Sequence, residues 1–152
     1  MKKIFILFTM IFVFMLTGCS TETSAYLVRA GGPSFNHGST YVINSVEELN
    51  EYVSGTYNNF DDAVEKYDEE YFNSSALVIA EITKSTGSAK LTLKSANVKE
   101  ETMVIKFKTK TPNVVTCDMA YWHILVECSQ EEANGISSIE VYDTGKLVEG
   151  RV

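Results

Sequence analysis

From residue 75 onward, apolar and polar positions alternate with a period of two. Ala89, Leu91 and Leu93 interleave with Lys90, Thr92 and Lys94, and Met103, Ile105 and Phe107 interleave with Val104, Lys106 and Lys108. A strand sends successive side chains to opposite faces, so this spacing predicts half-buried strands with one apolar face. Residues 76–82 are apolar on both faces except at Glu81, as in a central strand, and residues 119–127 read as the longest apolar strand. Ile139 and Val141 share one face of a last strand over residues 136–142. Ahead of residue 75 the pattern is mixed. Short strands are predicted over residues 26–30 and 41–44. Val46, Leu49 and Val53 recur at helical spacing behind Ser45, and Glu48 completes a capping box, so a helix is expected to about Ser54, with Gly55 ending it. Residues 61–67 form a weaker helical stretch, and residues 68–72 one further turn. Turn chemistry falls at Gly31-Gly32-Pro33, at residues 84–87, at residues 99–101, at the loop opened by Pro112 and at Gly135. The expected class is α+β: mainly antiparallel β, a sandwich-like meander, with one or two short helices before the main strands. A single globular domain would span residues 25–152.

The first residues carry a different signal. Lys2 and Lys3 precede residues 4–16, which are apolar except for Thr9. That run has the length of a signal-peptide core and is shorter than the roughly 20 residues of a spanning helix. Leu16-Thr17-Gly18-Cys19 follows and resembles a lipobox. It implies that residues 1–18 are a lipoprotein signal peptide, that Cys19 receives a diacylglyceryl group, and that residues 19–24 tether the domain to the outer face of a bacterial membrane. Several acyl chains on one cysteine hold firmly, because each buried CH₂ contributes about 0.8 kcal/mol.

Composition narrows the partners. The 152-residue chain has a net charge of −7, and losing Lys2 and Lys3 with the signal would make it more acidic still. Nucleic-acid binding needs a positive footprint, so none is expected, nor is electrostatic attachment to anionic lipid. Acidity of this size reads first as solubility. Cys117 and Cys128 flank one predicted strand, whose rise of about 3.3 Å per residue separates its ends beyond disulfide reach. Cys128 is expected in the core and Cys117 at a loop end. With no histidine clustered beside them, they do not make a zinc signature.

Catalytic constellations fail on inventory. His37 and His123 are the two histidines. His37 falls in a loop. His123 falls mid-strand, sharing a face with Tyr121 and Leu125, and reads as a structural histidine. Asp61, Asp62, Glu65, Asp68, Glu69 and Glu70 cluster at helical spacing without the glycine a calcium loop requires, and read as a solvated helix face. Asn73-Ser74-Ser75 matches a glycosylation sequon, which has no expected use in a bacterial lipoprotein. Phe107, Tyr121 and Trp122 are expected in the core. No catalytic residue, metal ligand or cofactor is expected.

One stretch resembles a known family. Phe72-Asn73-Ser74-Ser75-Ala76-Leu77-Val78-Ile79 leads to Ser85-Thr86-Gly87-Ser88, then to two alternating strands, Thr111-Pro112, and Met119-Ala120-Tyr121-Trp122-His123-Ile124-Leu125-Val126. This order, with the acidic stretch before the first central strand, resembles the C-terminal domain of the protease-complex subunit PrcB family over about residues 45–128. The resemblance implies a small exported domain that associates with a protease or another envelope protein. Where the family tends to show Thr-Gly-Gly, this chain has Thr86-Gly87-Ser88, and its proline-rich loop is reduced to Pro112. The Thr86-Gly87 pair also resembles the first loop of chagasin-type protease inhibitors, β-sandwiches that present loops to a cysteine protease.

The expectation is therefore a non-enzymatic, membrane-anchored binding module. Its candidate partner-binding residues lie on two loops: Lys84, Ser85, Thr86, Gly87 and Ser88 on one, Pro112 and Asn113 on the other. Rigid scaffolds commonly concentrate binding on such loops, although both also read plainly as ordinary hairpin turns. A small-ligand carrier, which would need a large apolar cavity, and an envelope hydrolase using His37, His123 or the acidic cluster stay open as alternatives.

Overall fold

The computed structural model describes residues 24–29, 38–54, 65–144 and 146–151. Residues 1–18, expected as a signal peptide, Cys19, the Gly31-Gly32-Pro33 loop, His37, Gly55, Asp61 and Asp62 lie outside the described residues.

Two four-stranded sheets carry the fold. In the first, β1 (Ala25–Arg29), β6 (Ala120–Ser129), β3 (Ser75–Lys84) and β2 (Thr40–Ile43) lie side by side in that order, all antiparallel. In the second the order is β4 (Lys90–Lys99), β5 (Thr102–Lys110), β7 (Ser138–Asp143) and β8 (Lys146–Arg151). The fold is α+β with mainly antiparallel sheets, as the alternation predicts. One pair, β5 with β7, is parallel, because the chain leaves the second sheet after β5, adds β6 to the first, and returns. The β4–β5 hairpin turns through Glu100, at φ 57°.

Three short helices are described: α1 (Val46–Ser54), α2 (Glu69–Phe72) and α3 (Gln130–Asn134). Ser45 caps α1 by accepting from the Glu48 N–H, while the Glu48 carboxylate accepts from the Asn44 N–H at 2.7 Å. Glu65 and Lys66 form a turn rather than the helix expected there. Ser129 and Glu132 make a complete capping box at the start of α3. That Ser-x-x-Glu signature stands in the sequence, but the long strand before it hides it. Strand β8 was also missed. It is a short edge element whose register with β7 slips at Val148.

The sheets face each other across one apolar layer. Ala76, Val78, Ala80 and Ile82 of β3, with Ile124 and Val126 of β6, meet Met103, Ile105 and Phe107 of β5 and Ile139 and Val141 of β7. Each such large side chain contributes about 1.5–3 kcal/mol when taken out of water. The opposite face of the first sheet is covered as well. Leu77, Ile79 and Leu125 pack against Ile43, Leu49 of α1, Tyr67 and Phe72 of α2. Strands β3 and β6 are therefore buried on both sides, which is why their sequences are apolar at nearly every position. Val46, Leu49 and Val53, the predicted helix face, are turned to this layer together with Tyr52.

Cys128 is buried at one end of β6, where burial and then the Glu132 charge push its thiol up to about 11. Cys117 is exposed beyond the other end, and both are free thiols.

Candidate functional site

The β3–β4 and β5–β6 loops meet at one pole of the sandwich. They are held by a small hydroxyl network. Thr86 is almost fully buried. Its hydroxyl accepts from the Thr116 N–H at 3.1 Å and from the Ser88 N–H at 3.3 Å, and shares hydrogen bonds with the Ser88 and Thr116 hydroxyls. The Ser88 N–H also donates to the Thr116 hydroxyl at 3.0 Å. The sequence singled out Thr86 and Ser88 as surface candidates; the structure uses them as the pin between two loops.

Gly87 has a related purpose. Its N–H donates to Asp118 Oδ1 at 3.1 Å, and a Cβ at position 87 would lie 2.0 Å from Asp118 Oδ2. Glycine suits this turn because the Asp118 carboxylate sits where a side chain would begin. The Thr116 hydroxyl, then the Gly87 N–H and the Arg29 charge, hold the Asp118 carboxyl below its ordinary range. Arg29 approaches Asp118 at 3.8 Å and lies 5.8 Å from the Trp122 ring centre. Gly87→Ala is expected to swing the exposed Asp118 side chain away and detach it from the turn. The stability cost should be small, about 1 kcal/mol or less, because the displaced partner is flexible. The amide signal of residue 87, followed by nuclear magnetic resonance, should lose its dependence on Asp118 titration.

Pro112 and Asn113 are exposed on the second loop. Beyond them the structure shows what the alternation could not. Val114 is 83% exposed, Val115 52% and Met119 54%, and these are the exposed large hydrophobic residues among those described. The apolar run in the sequence predicts a strand start at Met119. Instead β6 begins at Ala120, and Met119 stays outside with its sulfur accepting from the Tyr121 hydroxyl. A Val-Val pair between Asn113 and Thr116 was the available signal.

Of the two remaining loop candidates, Ser85 is exposed and Lys84 is used within the fold. Its ammonium donates to Asp143 Oδ2 at 2.7 Å and lies 5.0 Å from the Phe107 ring centre. Asp143 Oδ1 accepts from the Thr109 N–H, and Oδ2 from the Thr109 hydroxyl. Burial opposes the charge on Asp143, but the Lys84 and Thr109 hydrogen bonds outweigh it and hold the carboxyl at about 2. Lys84 belongs to the first sheet and Asp143 to the second, so the pair clasps the sandwich beneath the loop pole.

A second polar cluster lies under α1. Glu81 and His123 are directly opposed on β3 and β6, and both are buried. The Tyr52 hydroxyl reaches both, at 2.9 Å from Glu81 Oε1 and 2.6 Å from His123 Nδ1. One hydroxyl has one proton. With that proton donated to the carboxylate, the imidazole must carry its own on Nδ1 and donate it to the Tyr52 oxygen. Burial, followed by the Glu81 charge and its hydrogen bond, pushes the Tyr52 phenol above its ordinary value. The sequence reading of His123 as structural agrees with this placement. Glu81, the single polar interruption of a strand buried on both sides, was its partner in plain view.

Two open grooves flank the sheets. One of about 330 Å³ is lined by Tyr41, Glu48, Glu51 and Tyr52 beside α1. The other, about 570 Å³, crosses the outer face of the second sheet between Lys99, Lys106, Glu140 and Tyr142. Among the described residues no three His, Cys, Asp or Glu side chains come together as a metal site. No described helix is long and apolar enough to cross a membrane.

These features define a two-sheet α+β module with a hydrogen-bonded, apolar-tipped loop pole. Comparison of the chain with protein-family models, curated proteins and solved structures gives no match.

Proposed function

We propose that this chain is a lipid-anchored, extracytoplasmic, non-enzymatic module that binds a protein partner through its β3–β4 and β5–β6 loops. The observation that carries the reading is the exposure of Val114, Val115 and Met119 on a loop pinned through Thr116 and Asp118 to Thr86 and Gly87. Exposed apolar residues gathered on a fixed loop mark interaction surfaces, and a pre-ordered loop lowers the entropy lost on binding. Burial of His123 beneath Tyr52 supports a binding role over a hydrolytic one, since substrate would meet the tyrosine first. The resemblance to PrcB points to a protease complex as the partner. The meeting of the two loops also favours a second reading, a protease inhibitor of the chagasin type acting through the same surface.

The test is affinity capture from intact cells after crosslinking, with the full-length chain and a Val114→Ser, Val115→Ser, Met119→Ser variant. Captured partner should fall about tenfold or more in the variant, the scale of losing a central apolar anchor. Near-ultraviolet circular dichroism should be unchanged, because the three side chains support no core. Undiminished capture by the folded variant rules the surface out. Addition of the chain to a papain-like protease separates the inhibitor reading. Cys19→Ala should move the chain to the soluble fraction; retention in the membrane would remove the anchor from the proposal.

A further inference from the structure

The net charge of the chain hides a segregated surface. Six lysines, Lys90, Lys94, Lys99, Lys106, Lys108 and Lys110, fall on the single hairpin β4–β5 and are exposed. Alternation puts Leu91, Met103, Ile105 and Phe107 inward. Lys106, Lys108 and Lys110 therefore stand together on the outer face, about 6.6 Å apart along the strand, two residues of strand rise. Lys90 is directly opposite Lys110 and shares that face. Lys94 sits at the bulge between Leu93 and Ser95, and Lys99 at the hairpin end. On neighbouring β7, Glu140 is the acid turned to this face, held by the Tyr142 hydroxyl at 2.7 Å. Glu100 and Glu101 stand at the turn.

Like charges directly opposed on a strand pair are destabilising, and the Lys90–Lys110 pair is such a case. We propose that the outer face of β4–β5 is a docking surface for a linear phosphodiester polymer of the polyol-phosphate kind. Successive phosphates on an extended chain can meet successive lysines of one strand row and be bracketed by the lysines of the next. A nucleic acid is disfavoured because Tyr142, tied to Glu140, is the aromatic ring among the described residues turned to this face, whereas single strands are held by several stacking rings. A lipid surface is disfavoured because the lysine rows carry no exposed large apolar residue to insert. The Lys90–Lys110 end of this surface adjoins the loop pole, and the lysine rows run away from it along β4 and β5.

The experiment is a titration of the full-length chain in detergent micelles with poly(glycerol phosphate) at several salt concentrations. Comparators are a single-stranded oligonucleotide of equal phosphate number and vesicles containing phosphatidylglycerol. Binding to poly(glycerol phosphate) should weaken steadily as salt rises, and Lys108→Gln with Lys110→Gln should reduce affinity about tenfold at low salt. Lys66→Gln removes a positive charge away from this sheet and should leave affinity nearly unchanged. Lys90→Gln with Lys106→Gln serves if the first pair does not fold. Equal losses in the face and control variants, absence of binding, or tighter binding to the oligonucleotide or the vesicles would each overturn the proposal.

Discussion

Tyr52→Phe should lower the unfolding free energy by about 2–3 kcal/mol, because the lost hydroxyl serves two buried polar groups at once. The Glu81 carboxylate loses a donor and His123 Nδ1 an acceptor, and both side chains lie where water does not reach. The ring itself remains, so its edge contact with Tyr41 and the packing of α1 should persist. Urea unfolding should show a lower midpoint with an unchanged slope, since the surface exposed on unfolding is the same. A loss under about 0.5 kcal/mol would mean that the hydroxyl is not needed to hold α1 to the sheet.

The Lys84–Asp143 clasp should produce an effect of similar size with a distinct pH signature. Lys84→Met keeps the apolar stem over Phe107 and removes the charge, leaving Asp143 with Thr109 and Thr144. The side chains are 17% and 19% exposed, so the loss should fall between surface and buried pairs, about 1–3 kcal/mol. In the parent chain the folded Asp143 carboxyl sits at about 2, below its ordinary value of 3.8. A depressed carboxylate contributes stability that is fully present above the unfolded value and is lost as pH falls through the folded one. Acid unfolding should therefore take stability from the parent between about pH 4 and pH 2, and less from Lys84→Met over the same window. Identical acid profiles would show that the ammonium is not what lowers Asp143.

The sequence carried most of the scaffold. Alternation placed Met103, Ile105 and Phe107 inward, and an apolar run without alternation marked β3 as a central strand, while β6 stood out as the longest apolar strand. Local chemistry marked the start of α1, because capping depends on residues a few positions apart. The loop candidates Thr86, Gly87 and Ser88 were also legible, as turn chemistry between strands. Their purpose was not, since the partners Thr116 and Asp118 lie about thirty positions away.

What the sequence determined by itself is whatever has a short period or a local partner: the long strands, the capped start of α1, the turn residues and the inward face. Tertiary structure alone decided which distant polar groups meet. It paired Glu81 with His123 across β3 and β6 and set Tyr52 over them. It drew Lys84 into a clasp with Asp143 on the other sheet, left Val114, Val115 and Met119 outside, and gathered on one face lysines that the total charge had averaged away. The physical reason is common to all of these. Period and capping are properties of neighbouring residues, whereas charge pairing and exposure depend on which strands become neighbours after the chain has crossed between sheets.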